Sequence, residues 1–326
     1  MKINYQLLVL LLLLSAVVHA QDTTTFRYEI TGTTDNDDYT IRYTDRYYSN
    51  GLFLKFYAAL KDINEKNPKS IKKIFSIELG QMMFNPHSHD KNFLTDLDRP
   101  FAGVLFIKPS FTGITAKENV WQLGVQAGIM GPSAFGKQVQ TWWHGAFHIL
   151  SIYGWDTQLK NEAFINLTAS YNYHLLQKQK ENPWFDAYAF AAASLGNNLT
   201  NTSIGLRLKT GAFEKAFQSV AWGSRIQRTK QNHAWRKNHE VYIYFEPQLT
   251  YQAYNAALQG GLFKQDSAKG FFYTGIRPIV YQHSWGLLFA QNHWTIQFGY
   301  TFRTREAKHQ VAIEDFGTIR FGYRFR

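Results

Sequence analysis

The chain has no cysteine, so a disulfide framework, a thiolate metal site and a cysteine nucleophile are all excluded. Past the first twenty residues it also lacks any run of about 18 apolar residues, which excludes a membrane-spanning helix there. A chain without such a helix can still cross a membrane as a closed barrel, whose strands satisfy one another's backbone groups. What the sequence has in quantity is aromatic side chains, 17% of the 326 residues, and basic charge, with 35 Lys and Arg against 24 Asp and Glu.

The opening residues read as an address. Lys2 supplies a positive start, Leu7 to Leu14 with Ala16, Val17 and Val18 an apolar core, and Ala20 a small residue before Gln21. This is the pattern of a cleaved secretory signal, too short for a spanning helix. Residues 1–20 are therefore expected to be removed, leaving 21–326 as one domain with 34 basic and 24 acidic residues. An exported protein of that charge suits an anionic partner such as a phosphorylated lipid. Export also takes it away from nucleic acid, which is not expected as a partner.

Beyond residue 21 the dominant pattern is alternation, the mark of strands with one face in lipid. Trp294, Ile296, Phe298, Tyr300 and Phe302 alternate with His293, Thr295, Gln297, Gly299 and Thr301. Near the C-terminus Ile319, Phe321, Tyr323 and Phe325 alternate with Thr318, Arg320, Gly322 and Arg324. Comparable segments lie near 24–31, 48–60, 71–82, 101–110, 117–128, 162–177, 183–194, 203–211, 238–251 and 269–283. With 292–303 and 317–326 they make about twelve strands, an even number that closes an antiparallel barrel. The fold class expected is thus all-β, a transmembrane barrel of an outer membrane with aromatic girdles. A soluble sandwich would not tolerate so many aromatics opposite its polar face.

Alternation breaks over 131–160, where the spacing predicts a short helix in an external loop. Gln140, His144 and His148 stand at i, i+4 and i+8, along one helix face. That face is either a polar cap over a loop or a working site. A zinc-protease reading fails on Gly145, which stands where the general-base glutamate would be needed.

Three polar clusters remain: Asp35-Asn36-Asp37-Asp38, Thr44-Asp45-Arg46-Tyr47-Tyr48-Ser49-Asn50-Gly51, and Asp96-Leu97-Asp98-Arg99-Pro100-Phe101-Ala102-Gly103. Oxygen-rich clusters can coordinate a hard cation such as calcium, and they can equally form tight turns. The inward faces are expected to carry His293, Lys55, Arg320 and Arg324, as a polar channel would, so a non-catalytic pore or structural barrel stands beside an enzyme. The Asn166-Leu167-Thr168 and Asn198-Leu199-Thr200 sequons are read as chance matches.

In this order the clusters resemble the outer-membrane lipid A 3'-O-deacylase family, over most of the chain beyond the signal. The resemblance rests on Asn36-Asp37-Asp38, Tyr48-Ser49-Asn50-Gly51 and Asp98-Arg99-Pro100-Phe101-Ala102-Gly103. It is most specific from Gly131-Pro132-Ser133-Ala134 through Gln138-Val139-Gln140 to His144, then Gly154-Trp155-Asp156-Thr157-Gln158-Leu159-Lys160-Asn161-Glu162. Gly196-Asn197, Thr200, Gly205, Arg207 and Gly211 also fit. It implies a twelve-stranded barrel in the cell outer membrane of a Gram-negative bacterium, acting as a monomer on lipid A or lipopolysaccharide. The implied reaction is calcium-dependent hydrolysis of the 3'-linked acyloxyacyl ester. His144 would be the general base, a role suited to the side chain whose ordinary pKa lies nearest neutral pH. Asn36, Asp37 and Ser49 would hold calcium, which would stabilise the oxyanion, and Gln140 would stand beside His144. The family pattern can place a glutamate six residues after the histidine, where this chain has Leu150. His148, Asp156 and Glu162 are the nearest candidates to take its part. The residues Asn36, Asp37, Ser49 and His144 are expected to converge.

Overall fold

In a computed structural model, residues 26–40, 46–60, 72–87, 97–147, 152–177, 183–228, 239–263 and 274–326 are described. The signal segment 1–20, the Thr44-Asp45 pair, Asp96, His148 and Leu150 lie outside the described residues.

Twelve antiparallel strands close into a barrel: β1 (Tyr28–Asn36), β2 (Tyr47–Ala59), β3 (Lys72–Asn85), β4 (Ala102–Ile114), β5 (Val120–Met130), β6 (Glu162–His174), β7 (Phe185–Gly196), β8 (Leu199–Ala212), β9 (His239–Asn255), β10 (Ile279–Gln291), β11 (Trp294–Arg303) and β12 (Glu314–Phe325). Neighbours in sequence pair with each other, and β1 closes on β12 from Tyr28 opposite Phe325 to Asn36 opposite Gly317. The closed ladder leaves no strand edge unpaired, the condition for putting strands into lipid. No described helix is long and apolar enough to cross a membrane.

The alternation sorts the side chains as the sequence pattern requires. Trp294, Phe298 and Phe321 are exposed on the outer face, with Trp294 packed on Tyr323 at 4.5 Å. Thr295, Thr301 and Arg324 are buried on the inner face. Replacing Phe298 with Arg should therefore cost about 2–4 kcal/mol if it sits near the bilayer midplane. Urea unfolding in lipid vesicles measures this, and wild-type stability would mean that Phe298 does not face hydrocarbon.

Inside, the polar faces are tied to one another. Lys55 meets Glu78 at 3.3 Å, Arg207 meets Glu246 at 3.1 Å, and Lys209 meets Asp186 at 3.2 Å. At the end that holds the tyrosine of β1, the β8–β9 connection turns inward. Its Ala216, Val220 and Ile226 are fully buried, and Glu240 accepts from the Ser219 hydroxyl at 2.7 Å and the Val220 N–H at 2.9 Å. At the opposite end Arg99 is buried against Glu306 at 2.9 Å with its guanidinium 4.6 Å from the Phe84 ring centre.

Three placements differ from the sequence expectation. β1 runs 28–36 rather than 24–31, because Asp35 is a strand residue facing the lumen, where it accepts from the Tyr48 hydroxyl at 2.8 Å and from Thr318 at 2.7 Å. β10 runs 279–291 rather than 269–283, with Pro278 directly before it. His293 belongs to the two-residue β10–β11 turn, not to the inner wall, and its Nδ1 lies 2.7 Å from the Arg324 carbonyl. Within the third polar cluster Asp98 acts as a tether. Asp98 accepts from the Tyr47 hydroxyl at 2.8 Å, the His87 N–H at 2.8 Å and the Val311 N–H at 3.1 Å, joining three connections at one end of the barrel.

Candidate active site

The helix expected within 131–160 is α1 (Gly136–Phe147), and it lies against the outside of the barrel wall rather than over its mouth. Its buried positions, Gly136, Gln140 and His144, and the partly buried Val139 and Trp143, follow the 3, 4, 7, 8 spacing of one helix face. Trp142 on the opposite face is 67% exposed. Close approach of the helix requires a small wall residue: a Cβ on Gly103 of β4 would lie 3.3 Å from both the Ala134 Cβ and the Gly136 nitrogen. Entry to the helix turns on Gly131 at φ +101, a conformation that L side chains rarely adopt.

The wall beneath α1 is shaped by a β-bulge. Tyr48 pairs with Phe84 and Asn50 with Met83, so Ser49 is an extra residue in β2. A bulge re-aims the side chains around it. Tyr48 turns into the lumen, edge-on to Phe316 at 4.8 Å, while Ser49 and Asn50 both meet α1 on the outer side. Tyr47, held at φ +62, anchors the turn through its hydroxyl, which donates to Asp98 and accepts from the Ala312 N–H at 2.9 Å. Across the strand pair, Asn36 stands opposite Asn50.

The result is a narrow cleft of about 10 Å³, room for about one water, lined by Asn36, Ser49, Asn50, Leu52 and Met83 from the wall and Val139, Gln140, Trp143 and His144 from α1. His144 and Gln140 are each 5% exposed, and Gln140 Oε1 accepts from Trp155 Nε1 at 2.6 Å. That bond, with Lys137 donating to Asp156 at 2.7 Å, holds the returning 154–157 segment against the helix. Of the sequence candidates, Asn36, Ser49, Gln140 and His144 share this cleft. Asp37 is adjacent to it in sequence but is not one of its lining residues. It is buried in the short 3₁₀ turn that Asn36 caps by accepting the Asp38 N–H at 2.7 Å, and its carboxylate accepts the Arg46 N–H at 2.7 Å.

Of the candidates to take the part of the family glutamate, Asp156 is the exposed partner of Lys137. Glu162 faces inward and accepts from the Leu262 N–H at 2.9 Å and the Phe263 N–H at 3.3 Å. Sequence reasoning placed Asn50 only as a member of an oxygen-rich cluster and gave no individual role to it or to Trp155. Asn50 faces outward in step with Leu52 and Leu54, and the bulge that brings Ser49 to the same side leaves no mark in the alternation, whereas Trp155 was visible as an aromatic within the 154–162 motif.

The donors on the wall side of the cleft, Asn36, Ser49 and Asn50, are amide and hydroxyl oxygens, with the Asp37 carboxylate next in sequence and the His144 imidazole facing them from α1. Ser49 Oγ and Asn50 Oδ1 are buried with no hydrogen-bond partner. No group of three or more His, Cys, Asp or Glu that could hold a metal gathers among the described residues. An all-oxygen set with one nearby carboxylate fits a hard cation such as calcium and does not fit zinc.

A closed barrel with an outward aromatic face defines an integral outer-membrane protein, here with a polar cleft between its outer wall and a flanking helix. The chain belongs to the LpxR family of outer membrane proteins, whose sequence model matches residues 7–325. Its fold is similar to LpxR from Salmonella typhimurium, with a TM-score of 0.71 and 17% identity over 91% of this chain and 100% of that one. The β domain of the Bordetella autotransporter Brka gives a TM-score of 0.43 at 8% identity, covering 93% of this chain and 99% of that one. No curated protein matches the chain by sequence.

Proposed function

We propose that the cleft under α1 hydrolyses the 3'-linked acyloxyacyl ester of lipid A. The observation that carries this reading is the gathering of Asn36, Ser49, Gln140 and His144 on the outside of the wall, where a lipid can reach them from within the bilayer. The cleft lies at the barrel end that carries the long 131–161 connection. Such barrels place their longer loops outside the cell, where lipid A resides.

In this mechanism His144 takes a proton from water as the water attacks the ester carbonyl, the work of a general base within hydrogen-bond reach. Gln140, held by Trp155, stands one helical turn before His144 and would position the imidazole. Leu52, Met83, Val139 and Trp143 offer an apolar margin to the acyl chain beside the ester. Asn36, Ser49 and Asn50, with the Asp37 carboxylate behind them, would hold calcium, which when bound supplies positive charge to the developing oxyanion.

The test is release of the acyloxyacyl group from hexa-acylated lipid A by the purified protein in detergent. Asp37→Ala should lose activity in a way that added calcium partly restores, because a site short of one carboxylate binds the ion more weakly. Calcium binding measured by calorimetry should weaken in parallel. Unchanged calcium affinity in Asp37→Ala would remove Asp37 from the cation site.

The pore reading gains no support from the lumen. Lys55, Arg207 and Lys209 are paired with carboxylates on neighbouring strands, and the inward-turned 213–228 segment packs into one end.

A further inference from the structure

A second polar cavity lies inside the barrel, separate from the cleft under α1. It measures about 280 Å³ and is lined by Arg207, Lys209, Arg320, Glu246, Trp222 and Tyr244, among others. Three cations thus face it against one carboxylate.

Two of the three are already paired. Arg207 meets Glu246 at 3.1 Å, and Lys209 meets Asp186 at 3.2 Å with its ammonium 4.4 Å from the Phe213 ring centre. Arg320 forms no ion pair with any described residue, and its Nη2 is buried with no hydrogen-bond partner; Arg207 Nε is in the same condition. The carboxylates nearest in electrostatic effect are Glu29 and Glu78, and each already has a cation of its own: Glu29 faces Arg324 at 3.7 Å and Glu78 faces Lys55 at 3.3 Å. A buried guanidinium N–H left without an acceptor is costly, and the cost falls when an acceptor of opposite charge arrives. The planar fork of arginine matches a tetrahedral oxyanion through paired N–H donors.

We propose that the lumen binds a small free oxyanion of phosphate size at Arg320, with Arg207 and Lys209 completing its positive surroundings. The site is independent of the ester-hydrolysing cleft. It faces the lumen, so its ligand is a free anion from the aqueous side rather than a lipid headgroup.

Inorganic phosphate titrated into the full-length protein in detergent tests this by calorimetry and by unfolding temperature, against chloride at equal ionic strength. The expected result is saturable binding of one phosphate per chain and an unfolding temperature that rises with phosphate but not with chloride. Arg320→Gln should weaken phosphate binding roughly tenfold or more, the loss of a charge-assisted hydrogen bond. Arg320→Lys should retain part of the affinity, and Lys117→Gln, on an exposed turn, should retain all of it. Absence of saturable binding by the wild type, or equal affinity in Arg320→Gln, overturns the proposal. Should Arg320→Gln fail to fold, selenate soaked into crystals of the wild type decides the matter. An anomalous peak beside Arg320 supports the site, and peaks confined to the outer surface overturn it.

Discussion

His144→Ala should lower the rate of lipid A deacylation by roughly two to four powers of ten, the usual contribution of a positioned general base, while the barrel stays folded. His144 lies on the buried face of α1, outside the strand ladder, so its removal takes away no β-sheet hydrogen bond. Heat-modifiable migration on a gel should therefore match the wild type. Initial rates on purified lipid A measure the loss. Full activity in His144→Ala would eliminate the histidine-base mechanism. Gln140→Ala should lose less, because in this mechanism Gln140 would only position the imidazole and take no part in proton transfer. The loss should fall on kcat rather than on KM, and its conservative counterpart Gln140→Glu should keep the bond from Trp155.

Glu306→Ala should destabilise the folded barrel by about 3–5 kcal/mol, the cost of leaving a buried charge without its partner. Arg99 is fully buried and ion-paired with Glu306 at 2.9 Å. The pair joins the β3–β4 and β11–β12 connections above the Phe84 ring, at the barrel end that also carries the cleft under α1. The double variant Arg99→Met with Glu306→Leu should recover most of the loss, since an apolar pair of similar volume removes the stranded charge. Unfolding midpoints in detergent for the two singles and the double measure this. A Glu306→Ala variant as stable as the wild type would show that the pair contributes nothing to closing that end.

How much of this was legible in the sequence depended on which force set each residue. The run from Trp294 to Phe302 was plain because lipid on one side and a polar lumen on the other impose a two-residue period that only a strand can satisfy. β1 was misplaced because Asp35 looked like the start of a turn, although the lumen that accommodates its carboxylate is built by Tyr48 and Thr318 from other strands. The helix was found from the i, i+4 spacing of Gln140 and His144, but the spacing said nothing of where the helix docks. Gly103 and the bulge at Ser49 determine that it meets the outer wall. Asp98 read equally as cation ligand or turn, and the distinction lay in Tyr47 and Val311, far away in the chain. Asn50 and Arg320 illustrate the remaining gap. Each is an ordinary member of an alternating strand in the sequence, and each gains its significance from what neighbouring strands leave unpaired beside it.

The most direct measurement of the central claim is mass spectrometry of lipid A from cells that make this chain and from cells that do not, with the barrel verified as folded in the outer membrane. The account predicts a lipid A species lighter by the 3'-linked acyloxyacyl group in the first and its absence in the second, with the His144→Ala strain resembling the second. Identical lipid A in all three, with the wild-type barrel correctly assembled, would contradict it and direct attention to Leu150, where the chain departs from the family pattern.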